Sequence, residues 1–171
     1  MAVYGAGPHG HGNMVSYALW MKTTSKEDMV LINTGRGRVL RGLMNLHLND
    51  GEPELLLAAN ARLIAKGQKL NDGKWHHISV SMPKKGCKLS EVQFYVDGQA
   101  VKSKVVRQDN RVNVSLANKV TIGGLGHGPR KTPFNKLIHV DLGIKPFEGS
   151  LDEISVWSRA LTANEVATLA R

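Results

Sequence analysis

The sequence predicts an all-β chain: two antiparallel sheets packed face to face, with one short helix near the C-terminal end. Three observations carry this. Short runs place an apolar side chain at every second position, the period that sends alternate residues to one face of a pleated sheet. Turn sequences separate the runs, at Asn49-Asp50-Gly51, Asn71-Asp72-Gly73, Asp97-Gly98 and Gly123-Gly124. A single segment begins as a strong helix does. Short strands at roughly 8–12-residue spacing mark a sandwich rather than a parallel sheet.

In "VSYALWM", Val15, Tyr17, Leu19 and Met21 share a face. "MVLINTG" reads as a strand ending at Gly35, and "LMNLHLNDGEPELLLAA" as two strands around an Asn-Asp-Gly turn. "ANARLIAKG" has some helical character, but its neighbours favour strand and loop. In "WHHISVSM", Ile78, Val80 and Met82 lie on one face, and Trp75, His77, Ser79 and Ser81 on the other. The clearest hairpin is "VQFYVDGQAVKSKVV": Val92, Phe94 and Val96 share a face, and Asp-Gly supplies the positive φ of a two-residue turn. "KVTIGG" and "LDEISVW" complete the strands. Thr162-Ala163-Asn164-Glu165 is a capping box before Val166 and Leu169, which predicts a helix of about two turns.

The 171 residues suit one domain, 1–171. A chain of that length buries roughly 70% of its unfolded surface, so it needs no metal or disulfide merely to fold. No apolar run approaches the ~20 residues of a membrane helix, so no membrane insertion is expected. The N-terminal "MAVYGAGPHGHGNMV" has no basic region followed by an apolar core; the chain is either intracellular or a module excised from a longer protein. Cys87 is the only cysteine. It forms no internal disulfide and reads as a loop residue without a role, because no His or Asn arrangement accompanies it.

Lys and Arg total 23 against 14 Asp and Glu, a net charge of +9. Such a chain favours polyanionic partners. The charge is scattered, and there is no RNA-binding sheet motif, zinc-ligand pattern or basic helix, so no nucleic-acid partner is expected. The longest irregular stretch, 123–146, carries His127, Arg130, Lys131, Lys136 and His139, and long loops in compact domains usually carry function. "KLIHVDL" inside it reads as a short strand. A second basic cluster, Arg36, Arg38 and Arg41, lies in "GRGRVLRG".

"DGKWHHISVSM", "VQFYVDGQAV", "VTIGG" and "FEGSLDEISVWSRALTANEV" follow one another in the order and spacing of laminin-G-like domains. The resemblance covers most of Trp75–Leu169, and "SYALWMKT" is similar to the family's early strand. It implies a jelly-roll sandwich of the concanavalin A-like lectin/glucanase superfamily, which includes pentraxins. It also implies glycan binding, adhesion or targeting outside the cell, often with calcium. On that footing the chain is a module excised from a secreted or surface protein, with other domains of the parent chain as neighbours. The stretch before "SYALW" is shorter than in the family, and the 123–146 loop longer.

Asp152 and Glu153 are adjacent carboxylates in a strand pattern. Strict alternation puts Asp152 with Ile154 and Val156 toward the core, and Glu153 with Ser155 and Trp157 outside. Carboxylates on opposite faces cannot flank one glycosidic bond. No Ser-His-Asp arrangement appears either, so no enzyme is expected. Asp152 then needs a partner for a buried charge. The resemblance implies backbone N–H groups, or a structural calcium completed by carbonyls of the N-terminal segment; no cofactor is otherwise required. His9 and His11 read as a tail. His76 reads as a core histidine bonded to backbone, and His77 sits on the opposite face. Trp20, Tyr95 and Trp157 lie off the core faces, with packing under a loop or the helix expected for Trp157.

These readings leave a non-catalytic carbohydrate-binding or adhesion module, a structural or protein-interaction module, and, weakest, a glycan-active enzyme. The expected ligand is an acidic or sulfated polysaccharide or glycoconjugate. It would be held by Arg130, Lys131 and Lys136, with His127 and His139, helped by Arg36, Arg38 and Arg41, because guanidinium pairs bidentately with sulfate and carboxylate.

Overall fold

The computed structural model describes residues 16–34, 44–57, 61–84, 86–112, 120–124 and 144–171. These form two sheets. The first has five strands in the order β12-β1-β6-β7-β8, namely β12 (Ser150–Trp157), β1 (Ser16–Lys22), β6 (Trp75–Ser81), β7 (Gln93–Val96) and β8 (Gln99–Val101). The second has the order β10-β2-β3-β4-β5-β9: β10 (Val120–Ile122), β2 (Met29–Thr34), β3 (Met44–Asn49), β4 (Glu52–Leu57), β5 (Arg62–Ile64) and β9 (Lys104–Val106). These pairings are antiparallel, and the two-residue β11 (Lys145–Pro146) adds to β2 in parallel.

The core lies between the sheets because one face of each strand is apolar. Tyr17, Leu19 and Met21 of β1, Ile78 and Val80 of β6, and Phe94 and Val96 of β7 join one buried cluster with Leu46, Leu48, Leu55 and Leu63 of the second sheet. Each such side chain stabilises the fold by roughly 1.5–3 kcal/mol. The turns take the expected backbone: Asp50 and Gly51 have φ of 46° and 79°, and Asp97 and Gly98 have 48° and 79°. β2 carries a bulge between Val30 and Ile32. Leu31 and Ile32 both enter the core, and Asn33 returns to the outer face in register with Asn45.

The helix α1 (Ala163–Leu169) starts at the expected capping box. Thr162 Oγ1 accepts the Glu165 N–H at 3.3 Å, and the Glu165 carboxylate accepts the Thr162 N–H at 2.8 Å. Arg159 grips the same carboxylate through both terminal nitrogens, at 2.9 and 2.6 Å. Its buried Val166 packs with Leu161, Tyr95, Trp157 and Leu169, so the helix covers one end of the first sheet's outer face. Trp157 is packed there as expected.

Two expectations are corrected. Cys87 does lie in a loop, but its side chain is not idle there: it is fully buried in the core cluster, and burial pushes its thiol pKa up. His76 is bonded to carboxylates rather than backbone. Its Nδ1 lies 2.9 Å from Asp97 Oδ2 and its Nε2 3.0 Å from Asp72 Oδ1. Asp97 also accepts the His77 N–H at 2.8 Å, which ties the start of β6 to the β7–β8 turn. His9, His11 and the "KLIHVDL" segment lie outside the described residues. Among the described residues no helix is long and apolar enough to cross a membrane.

Candidate functional site

An outward face of an antiparallel sheet that meets water is normally a mixture of charged and small polar groups. The outer face of the second sheet instead holds a row of buried polar side chains. Register aligns Thr121, Asn33 and Asn45 across β10, β2 and β3, and His47 with Glu54 across β3 and β4. All five are buried. Asn33 donates to Thr121 Oγ1 at 3.3 Å, and Thr121 donates to the Gly124 carbonyl at 2.6 Å. Glu54 is the hub of the rest: His47 Nε2 and Arg62 each lie 3.3 Å from its Oε2, and Asn49 donates to its Oε1 at 3.1 Å. Burial alone would raise the Glu54 carboxyl. The hydrogen bond and charge of His47, the charge of Arg62 and the Asn49 amide outweigh it and hold it below the usual range.

Two polar positions in this row are incomplete. Asn45 Oδ1 and His47 Nδ1 are buried and find no hydrogen-bond partner among the described residues. Buried polar atoms are nearly always satisfied, so two unpaired ones in one row set this face apart.

Beside the row opens a polar pocket of about 460 Å³, with Glu54 and Arg62 in its wall and Asn49, Asp50, Glu52, Lys66, Lys69 and Arg107 around it. Lys69 pairs with Asp50 at 2.6 Å and Lys66 with Glu52 at 3.6 Å. Arg107 has no ion pair among the described residues. It also holds a left-handed backbone, φ 73°, a conformation that persists only where its surroundings enforce it.

Glu52 and Glu54 occupy alternate positions of β4 and so share this face. A glycosidase needs one carboxyl protonated at working pH. Glu54, with its pKa lowered by His47 and Arg62, is the wrong group for that task.

The ligand residues expected from sequence, Arg36, Arg38, Arg41, His127, Arg130, Lys131, Lys136 and His139, lie outside the described residues. The segments that hold them leave from and return to strands of the second sheet. Residues 35–43 join β2 to β3, and 125–143 lie between β10 and β11. Lys145 of β11 pairs with Met29, which pairs with Leu48, at the end of the sheet where Asn49 and Glu52 line the pocket.

Asp152 is where sequence reasoning needs its main correction. It is exposed, not core-facing. Ala18 pairs with Ser155 but Trp20 pairs with Asp152, so Leu19 alone faces both Glu153 and Ile154. That is a β-bulge, with Glu153 at φ 47°. Alternation breaks there: Leu151 and Ile154 pack on the core, and Asp152 joins Trp20 on the outer face. Both carboxylates line one pocket of about 320 Å³ with Trp20, Trp75 and Arg171. The two carboxylates therefore do not point to opposite faces of the sheet. The N-terminal segment expected to complete a calcium site at Asp152 with its carbonyls lies outside the described residues; Asp152 Oδ1 accepts the Glu153 N–H at 2.8 Å.

Sequence reasoning passed over His47, Glu54 and Asn45. The available signal was polar residues at alternate positions of apolar strands, "MNLHLN" and "EPELLL". It also passed over Trp75, which is 43% exposed.

With this architecture in view, the family follows. A laminin G model described as concanavalin A-like lectin/glucanases superfamily matches residues 5–167, and the chain belongs to that superfamily. No curated protein matches it in sequence. Solved structures share its jelly-roll fold at low identity. One is domain 4 of AbnA, a GH43 extracellular arabinanase from Geobacillus stearothermophilus, in complex with arabinotriose. Identity is 20% and the TM-score 0.61, over 95% of this chain and 69% of that one. Another is the CBM40 of the Ruminococcus gnavus IT-sialidase bound to α2,3-sialyllactose, with 14% identity and a TM-score of 0.66, over 94% and 84%. A third is the heptameric SAP-like pentraxin of Limulus polyphemus, with 14% and 0.60, over 93% and 70%.

Proposed function

We propose that this chain is a non-catalytic glycan-binding or adhesion module acting outside the cell or at its surface, and that its ligand is an acidic or sulfated polysaccharide. The observation that carries the reading is the outer face of the second sheet. Two buried polar atoms, Asn45 Oδ1 and His47 Nδ1, lack hydrogen-bond partners among the described residues, and sugar hydroxyls both donate and accept. Next to them, Arg62, Lys66, Lys69 and Arg107 line an open pocket, and they outnumber its three carboxylates. Arg130, Lys131 and Lys136, with His127 and His139, would add charge from the 125–143 segment, and Arg36, Arg38 and Arg41 from 35–43. Two structural neighbours hold arabinotriose and sialyllactose, which supports a glycan as the ligand class. Calcium at Asp152 has no role in this reading; a chelator that lowers the melting temperature, with recovery on added calcium, would restore it.

The test is a heparin column with a salt gradient. Wild type is expected to be retained and to elute at high salt, because many exposed contacts act together and are screened together. Lys66→Ala/Lys69→Ala/Arg107→Ala and Arg130→Ala/Lys131→Ala/Lys136→Ala should each elute earlier. Elution of wild type at low salt, like an ordinary weakly basic protein, would sink the polyanion reading. Silence on a neutral and acidic glycan array as well would move the chain to a structural or protein-interaction role.

A further inference from the structure

The pocket on the outer face of the first sheet has a different chemistry. It is walled by two indoles. Trp75 is 43% exposed, open to a ligand face, and Trp20 is held edge-on against the buried His77, 5.4 Å between ring centroids. The β12 bulge brings Glu153 beside Asp152 through a left-handed backbone at Glu153, a conformation unfavourable for a residue with a Cβ. Bulges often re-aim side chains at binding sites. Neither carboxylate is ion-paired with a basic side chain of the described residues, Arg171 in the same pocket included. An aromatic face, two acceptor carboxylates and one donor guanidinium thus stand together with no ion pair between them, Asp152 Oδ1 accepting the Glu153 N–H.

Each part selects. An exposed indole stacks on the C–H face of a pyranose or on a cation. The guanidinium, with five donors and no acceptor, opposes a bare cation and suits a ring bearing hydroxyl oxygens. Two carboxylates against one guanidinium make the pocket locally acidic in a chain of net charge +9. That disfavours a carboxylated or sulfated sugar and favours an ammonium. We propose that Trp20, Trp75, Asp152, Glu153 and Arg171 form a second glycan site, selective for amino sugars with a free ammonium group. Trp75 stacks on the ring, the carboxylates accept from the ammonium and a neighbouring hydroxyl, and Arg171 donates to ring substituents. This goes beyond the polyanion site, lies on the other sheet, and stands or falls separately from it.

The experiment is calorimetric titration with β-1,4-linked glucosamine disaccharide, its N,N′-diacetylated form, and a uronic-acid disaccharide. It is run at physiological salt, where the Debye length of ~8 Å makes the pocket's charge rather than the whole chain's decide. The free amine should bind, with N-acetylation weakening it roughly tenfold or more through loss of charge-assisted hydrogen bonds. The uronic-acid disaccharide should not bind at this pocket: Trp75→Ala should leave its heat unchanged. Trp75→Ala should abolish the glucosamine signal, and Asp152→Asn/Glu153→Gln, which keeps shape, should weaken it by a similar factor. Lys66→Ala/Lys69→Ala/Arg107→Ala should leave it unchanged, which separates this site from the polyanion one. Absence of glucosamine binding, equal affinity for the acetylated form, or full binding by Trp75→Ala would each overturn the proposal.

Discussion

Glu54 is the residue whose removal tests the second sheet most directly. Its side chain is 3% exposed and receives His47, Arg62 and Asn49. Glu54→Ala leaves a buried histidine and a half-buried guanidinium facing a cavity. Breaking a buried pair by deleting one partner costs roughly 3–5 kcal/mol. For a chain of this length each kcal/mol moves Tm by about 2–4 °C, so a fall of roughly 6–20 °C follows. Glu54→Gln keeps the shape and an acceptor for Asn49 and should cost less. Thermal melts followed by circular dichroism measure both. Low pH gives an independent arm. The Glu54 carboxyl is held below its ordinary 4.5, so its stabilisation is present above pH 4.5 and lost as pH falls through the lowered value. Glu54→Gln should lack that limb of the acid transition. A loss under ~1 kcal/mol for Glu54→Ala, the range of an exposed pair, would refute the claim that this network is a buried one.

Three further outcomes are expected. Burial works against the His76 imidazolium, but its bonds to Asp97 and Asp72 outweigh it and raise the pKa above 6.5, so its stabilisation is full below pH 6.5 and is lost as pH rises through the raised value. Burial lowers the His77 pKa despite the charge of Asp97, so that residue destabilises as pH falls below 6.5; melting curves from pH 5 to 8 should peak between, and His76→Gln should flatten the upper side alone. Thr162→Ala removes the N-cap of α1 and should cost about 1 kcal/mol, with Trp157 fluorescence shifting as the helix loosens; an unchanged melt would argue against the cap. Cys87, buried with a raised thiol pKa, should resist a thiol reagent in the native state and react on unfolding; rapid native labelling would contradict its burial.

The fold was legible because local and global signals agree. Apolar residues at alternate positions of "SYALWM" and "WHHISV" are the same residues that fill the core, and Asp97-Gly98 and the Thr162–Glu165 box dictate their turn and cap without help from distant contacts. The site was less legible. Period-two reasoning failed at Glu153 because a bulge adds one residue to β12 against Leu19, and nothing local in "LDEIS" announces it: Glu153 adopts a conformation that a sequence reader reserves for Gly, Asn or Asp. His47 and Glu54 sit seven apart in sequence and meet only because β3 and β4 pair. That pairing is implied by the Asn-Asp-Gly turn, yet the burial of both partners depends on the whole sheet.

The bulge has a second effect, on solubility. Among the described residues β12 is the outermost strand of its sheet and, at eight residues, the longest. Its backbone groups on the side away from β1, unpaired among the described residues, and the half-exposed Val156 offer a template on which another chain could add a strand. Long flat edges are the usual starting points of such self-association. Here the run is interrupted in the middle: the left-handed Glu153 breaks the regular spacing of donors and acceptors, and two negative charges stand on the break. An incoming strand would meet a kink and a carboxylate where it needs a straight ladder. The feature that shapes a pocket on one side of the strand thereby guards its open edge.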